Sequence, residues 1–353
     1  MQSVPTPSTS TPAPAPGSAS ASTPRAVPTP APAPDAASAP DLPGSGAGEH
    51  AGAPEAAAAH AQPLPRLDLV LLALAVAGVA VSAPLITATA APALAIAFWR
   101  NCMAAGVLGP LSLLRARSRR ELRAMSRREV LLACSAGVFL AVHFGLWLPS
   151  LHLTSVAAST ALCTTTPLWT TLALRLGGHR APALTWAGVG VAFSGVLVLT
   201  GFDLTVSTRA LTGDLMALAA GMAAAGYFLL GSTVRRTVST TAYTTVCYTT
   251  TAVALLIACL VSGQALGGYR AEDWWKIVAL TVAAQFIGHS LSNRVVAGLG
   301  PSLVSTAILL ETPGAALIAA LWLGQVPSVA VYPAMALILT GLVLVIRAQR
   351  PSG

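Results

Sequence analysis

The chain has 353 residues, and only 9% of them are Asp, Glu, Lys or Arg, against roughly 25% in soluble domains. Hydrophobic residues make up 54%, and mean hydropathy is +0.70. So few charges cannot clothe a water-facing surface, which excludes an ordinary soluble enzyme and makes lipid the main solvent. The net charge of +8 comes with no basic face carrying interleaved aromatics, so nucleic acid is excluded as a partner.

Residues 1–66 are a Pro/Ala/Ser-rich tail, with runs such as Thr11-Pro-Ala-Pro-Ala-Pro16 and Pro28-Thr-Pro-Ala-Pro-Ala-Pro34. Such a segment cannot bury enough apolar area to offset chain entropy, so an extended, disordered tail is expected. Residues 1–24 show neither a basic n-region nor an apolar h-region. Membrane insertion is therefore expected to begin with the first spanning helix.

Beyond Leu67 the chain divides into apolar segments of about 20 residues, each able to cross a ~30 Å hydrocarbon core. They fall near 69–90, 93–114, 129–148, 155–176, 182–201, 213–234, 241–262, 275–295, 301–323 and 329–347. The expected fold is an all-α integral membrane protein of ten transmembrane helices. The connections test that count. With the N-terminus in the cytoplasm, the even-numbered connections carry Arg115, Arg117, Arg119, Arg120, Arg123, Arg127 and Arg128, then Arg180, then Arg235 and Arg236, then Arg294. Arg347 and Arg350 follow the last helix, while the outer connections hold only Arg209, Arg270 and Lys276. Cytoplasmic loops collect Lys and Arg, so both termini are expected inside, in the plasma (inner) membrane.

The two halves align at one offset of 146 residues. Asp68 matches Asp214, His143 matches His289, Ser159-Thr160-Ala161 matches Ser305-Thr306-Ala307, Pro167 matches Pro313 and Gly195 matches Gly341. Residues 67–206 and 211–349 thus form two five-helix repeats. An odd number of spans reverses the insertion direction, so the copies are inverted across the membrane. That is a plan shared by secondary transporters, with substrate held near the midplane.

Candidate functional residues follow from depth. Four of the 12 acidic residues lie in the tail and seven at helix ends or in loops, leaving Glu311 alone near mid-span. A charge there costs at least ~2.5 kcal/mol, so it must face a cavity or a partner, and it is a candidate proton carrier. Pro313 removes a backbone donor two residues later and should open the helix, as Pro167 should in the first half behind Thr164-Thr165-Thr166. Thr165 aligns with Glu311, so one side of the site is ionisable and the other a hydroxyl. Arg100 is the other charge well inside a span, suited to a substrate carboxylate, to Glu311, or to snorkelling toward the headgroups. His143 and His289 either tie helices together or serve the substrate and proton path. Trp274-Trp275 beside Lys276 suggests an interfacial belt at the outer face.

The five cysteines lie in apolar runs without CxxC spacing, so no metal site is expected and they count as small buried hydrophobes. No P-loop, cofactor fingerprint, HExxH or GxSxG occurs, so no cofactor and no catalytic role is expected. A membrane-embedded enzyme would need clustered carboxylates, nucleophiles or metal ligands at one depth. A non-transporting sensor or scaffold would rely on the tail. Small-residue patches suit packing within one chain and between chains alike, so they leave oligomeric state open.

Over residues 68–347 the chain resembles the EamA-type members of the drug/metabolite transporter superfamily. The resemblance is carried by Pro92-Ala-Leu-Ala-Ile-Ala-Phe-Trp-Arg100, by Ser159-Thr-Ala with Thr-Thr-Pro167, and by Leu309-Leu-Glu-Thr-Pro313 followed by Leu323-Gly324. It implies a carrier for small metabolites, amino acids or drug-like compounds, often outward. An arginine in helix two and an acidic-Pro pair in helix nine recur in that family, and Arg100, Glu311 and Pro313 match them. The chain departs from the common pattern with Ala77-Gly78-Val79 in place of Trp-Gly, and with Gly178-His179 and Gly324-Gln325 in place of Gly-Glu.

Overall fold

A computed structural model describes residues 66–178, 180–289, 291–292, 295 and 307–348. Residues 1–65, Arg294, Ser305, Thr306 and Arg350 lie outside the described residues, as does the side chain of His289. All regular structure among the described residues is helical: α1 (Arg66–Ala80), α2 (Ser82–Thr87), α3 (Ala93–Leu114), α4 (Ala116–Ala124), α5 (Arg127–Ser150), α6 (Val156–Cys163), α7 (Thr166–Leu176), α8 (Ala183–Val206), α9 (Thr208–Val234), α10 (Thr240–Val261), α11 (Ala271–Leu280), a π-helical continuation Thr281–His289, α12 (Glu311–Leu323) and α13 (Val331–Ala348).

Serine sets many of the starts. Ser155, Ser207 and Ser239 each accept a hydrogen bond from the backbone N–H three residues on, and Ser126 forms a full capping box with Glu129. Each such cap is worth about 1 kcal/mol. Among the described residues, six helices are long and apolar enough to cross a membrane: 66–87, 93–114, 127–150, 208–234, 240–261 and 331–348. Of the remaining four expected spans, the fifth is the apolar stretch Ala183–Leu199 of α8, and the others are interrupted or lie partly outside the described residues. The fourth is split into α6 and α7, and the eighth changes from α to π winding at Thr281.

α4 was not expected from hydropathy. Its nine residues, Ala-Arg-Ser-Arg-Arg-Glu-Leu-Arg-Ala, form a charged helix with only Ser118 buried. The Glu121 carboxylate accepts from the Ser239 backbone N–H, and Glu129 accepts from the Thr237 hydroxyl. These bonds fasten α4 and the start of α5 to the α9–α10 turn.

The helices pair in a pattern that survives exchange of the halves. α3 packs on α10 and α8 on α13, each pairing equivalent helices. α5 packs on α9, and its counterpart, the π-helical segment, packs on α1. Glycine makes the α8–α13 contact close. A Cβ on Gly188 would lie 2.7 Å from the Gly341 carbonyl, and one on Gly195 2.7 Å from the Ala334 carbonyl. Gly188 and Ala334 are 146 apart, as are Gly195 and Gly341, so the two contacts interchange under the repeat. Backbone approach of this kind needs small residues where lipid supplies no hydrophobic drive between helices.

The candidate pathway where two broken helices meet

Pro167 cannot donate to the Cys163 carbonyl, so the fourth span stops at Cys163, turns through Thr164 and Thr165, and restarts at Thr166. In the second half, Ala307 and Ile308 are helical, Leu309 and Leu310 turn, and α12 starts at Glu311 with Pro313 in its first turn. The breaks occupy equivalent places to within a residue. They also touch: the Thr164 and Thr312 hydroxyls lie 3.3 Å apart.

Thr165 is fully buried and spends its hydroxyl within its own break. It donates to the Leu162 carbonyl at 2.6 Å and accepts from Trp169 Nε1 at 3.1 Å. Thr166 donates to the carbonyls of Cys163 and Gly221. Thr164 is therefore the threonine that meets the opposite break, Thr166 bonds to α9, and Thr165 holds the broken end in shape. Adjacent threonines on a helix point in different directions, so composition alone could not choose between them.

Glu311 stands in the first turn of α12, where the positive end of the helix favours a carboxylate. Its side chain is half-buried. Its charge interacts with that of Arg100 without direct contact, and it lies near Cys163.

Arg100 is 2% exposed, too deep to snorkel. Its guanidinium lies over the Phe144 ring, 4.4 Å from the centroid, and Nη2 donates to Gln285 Oε1 at 3.0 Å. Tyr248 meets both the Gln285 side chain and the field of Arg100. Gln285, Tyr248 and Phe144 carried no signal in the sequence, because neutral and aromatic residues blend into apolar runs. Gln285 approaches only through a contact 185 residues away in the chain.

His143 lies against α9, with Nδ1 3.0 Å from the Ala220 carbonyl and its ring stacked on Trp147. A carbonyl only accepts, so Nδ1 carries the proton, and this contact is a tie between helices. Asp214, grouped by sequence with helix-end acids, is fully buried, because α9 begins at Thr208 rather than near residue 213.

The start of α11 is tied to the 88–90 connection, and α3 to the 262–270 loop. Lys276 donates to the Ala88 carbonyl at 2.9 Å, Asp273 accepts from the Ala90 N–H at 3.0 Å, and Trp99 Nε1 donates to the Leu266 carbonyl at 2.9 Å. Trp274 packs edge-on against Trp99, whereas Trp275 is 72% exposed. The belt expected of the pair therefore divides, one ring packing against α3 and one lying exposed. Among the described residues no cluster of three or more His, Cys, Asp or Glu could hold a metal ion.

The family description "EamA-like transporter family" matches residues 67–201 and 211–347. One solved crystal structure is similar over 81% of this chain and 99% of its own, with a TM-score of 0.56 and 20% sequence identity. At that identity the likeness concerns the fold. No curated protein matches the sequence.

Proposed function

Because the chain belongs to the EamA-like transporter family of multi-pass membrane proteins, we propose that it is a secondary carrier working by alternating access. It moves small metabolites, amino acids or drug-like compounds outward across the plasma membrane. The observation that carries this reading is the meeting of two Pro-interrupted helices at Thr164 and Thr312, beside the half-buried Glu311 and the buried Arg100. Broken helices at corresponding places in two repeats are where carriers hold substrate, because freed backbone groups are tolerated only at a cavity.

The proposed arrangement is ten spans in two inverted halves, 67–206 and 211–349, with both termini cytoplasmic. The contacts between connections support it. Among the described residues, loop 88–90 bonds to the start of α11, Arg209 to the His152 carbonyl and Gln325 to the Val156 N–H, all on the face assigned outside. Glu121 and Glu129 reach the α9–α10 turn on the face assigned inside. Glu311, Arg100, His143, His289 and Thr165 form or frame the pathway, Pro167 and Pro313 open it, and a proton travels on Glu311.

Reconstituted vesicles offered a metabolite mixture, with and without a pH gradient, test the reading. Wild type should accumulate at least one solute in response to the gradient, and Glu311→Gln should lose that response. Equal transport by Glu311→Gln with unchanged gradient dependence removes the proton role. Absence of any solute movement by wild type removes the carrier reading.

A further inference from the structure

Arg100 is held on two sides and unspent on the others. Phe144 supports the face of its guanidinium and Gln285 takes Nη2, but Nε and Nη1 are buried with no hydrogen-bond partner among the described residues. Leaving buried donors of a charged group unmade costs more than an ordinary neutral hydrogen bond returns. One turn along α5 from Phe144, Trp147 is 6% exposed and its Nε1–H is likewise unpaired. Glu311 does not relieve Arg100, since it makes no direct ion pair with it among the described residues and acts only through the field.

The open groups share a chemical character. Nε, Nη1 and the indole N–H are donors that cannot accept. The matching partner offers acceptors and no donors, which describes an ionised carboxylate. A phosphate dianion fits less well, because one guanidinium cannot balance two charges while the Glu311 carboxylate stands nearby. The aromatic surfaces of Phe144 and Tyr248 suit an apolar body behind the charged group.

We propose that Arg100, braced by Gln285 and Phe144, is the seat for the carboxylate of a small organic monoanion. This rests on the carrier reading above and names the substrate class of the same site. Gln285 is a positioning residue: its amide oxygen fixes the guanidinium so that Nε and Nη1 face the ligand.

Benzoate, benzamide and benzylamine share one ring and differ in charge, so they separate the seat from simple apolar binding. Their binding to the full chain in detergent can be followed by the fluorescence of its tryptophans. Benzoate should bind at least about tenfold more tightly than either analogue, the discrimination expected when a site's buried donors are satisfied or left bare. Arg100→Gln should erase that preference. Gln285→Leu should weaken benzoate alone, leaving benzamide unchanged, which a merely structural role would not do. If Arg100→Gln does not fold, the wild-type preference and the Gln285→Leu result still decide. Equal binding of the three probes overturns the seat, even if vesicles prove the protein a carrier of neutral or cationic solutes. Arg100-dependent benzoate preference without solute movement in vesicles keeps the seat and removes the carrier reading.

Discussion

The α8–α13 seam and the crossing of the two broken helices both join the halves of the molecule, but they are built from opposite materials. At the seam the contact is glycine backbone against backbone, and each contact has a repeat-related twin. At the crossing the contact is hydroxyl to hydroxyl, and the repeat-related residues differ, Thr165 standing where the other half has Glu311. Symmetry persists where the only demand is close packing. It is lost where a charge has to be placed. A seam without polar groups has one best geometry, whereas weak side-chain bonds between broken ends can be exchanged at little cost.

The comparison fails most visibly if the seam yields. Gly341→Leu should destabilise the protein by about 3 kcal/mol, because the added side chain meets the backbone of Gly188 and Ala192. Thermal unfolding in detergent measures it, with Gly106→Ala, which has open space at its Cβ, as the neutral control. An unaltered midpoint for Gly341→Leu would show that the seam is not tightly packed.

The breaks should respond in activity more than in stability. Restoring backbone donors with Pro167→Ala and Pro313→Ala together lets both helices close. Vesicle transport should fall by about tenfold while the unfolding temperature holds or rises. A loss of stability instead would mean that the prolines serve packing. A smaller effect is expected from the Thr164→Val and Thr312→Val double-mutant cycle, with a coupling of about 0.6 kcal/mol, the scale of interhelical side-chain bonds in membranes. Zero coupling would separate the two breaks energetically.

The smallest effect lies at Lys276 and its partners. Lys276, through a direct hydrogen bond and then its charge, holds the Glu272 carboxyl below the ordinary carboxylate range. A carboxyl lowered in the folded state stabilises it above the unfolded value, and that contribution disappears as pH falls through the folded one. Glu272 is exposed, so solvent screens most of it. Glu272→Gln should slightly flatten the acid dependence of unfolding and leave neutral stability nearly unchanged.

Much of this plan was legible in the chain. Apolar length gave six of the ten expected spans among the described residues, Pro167 and Pro313 marked the breaks, and depth in the sequence drew attention to Arg100 and Glu311. Direction on a helix was less legible: three consecutive threonines do not reveal that Thr164 crosses between halves while Thr165 turns inward. Neither did the basic run before Ser126 reveal α4, whose nine residues lack an apolar stripe. Partners distant in sequence were silent too, because Gln285 gains its meaning only when folding sets it against Arg100.

The π winding of Thr281–His289 has its own consequence. The matching stretch of the first half, Ser135–His143, lies within the α-helix α5, and the repeat runs through both without an insertion. Equal numbers of residues are thus coiled at different pitch, and the π coil is the wider and shorter of the two. One arm of the molecule holds slack that the other has already taken up. Rewinding it to α would lengthen that arm and swing Gln285 about its axis without breaking the chain's count. The duplicated sequence encodes a matched pair of helices, and the fold winds them to different lengths.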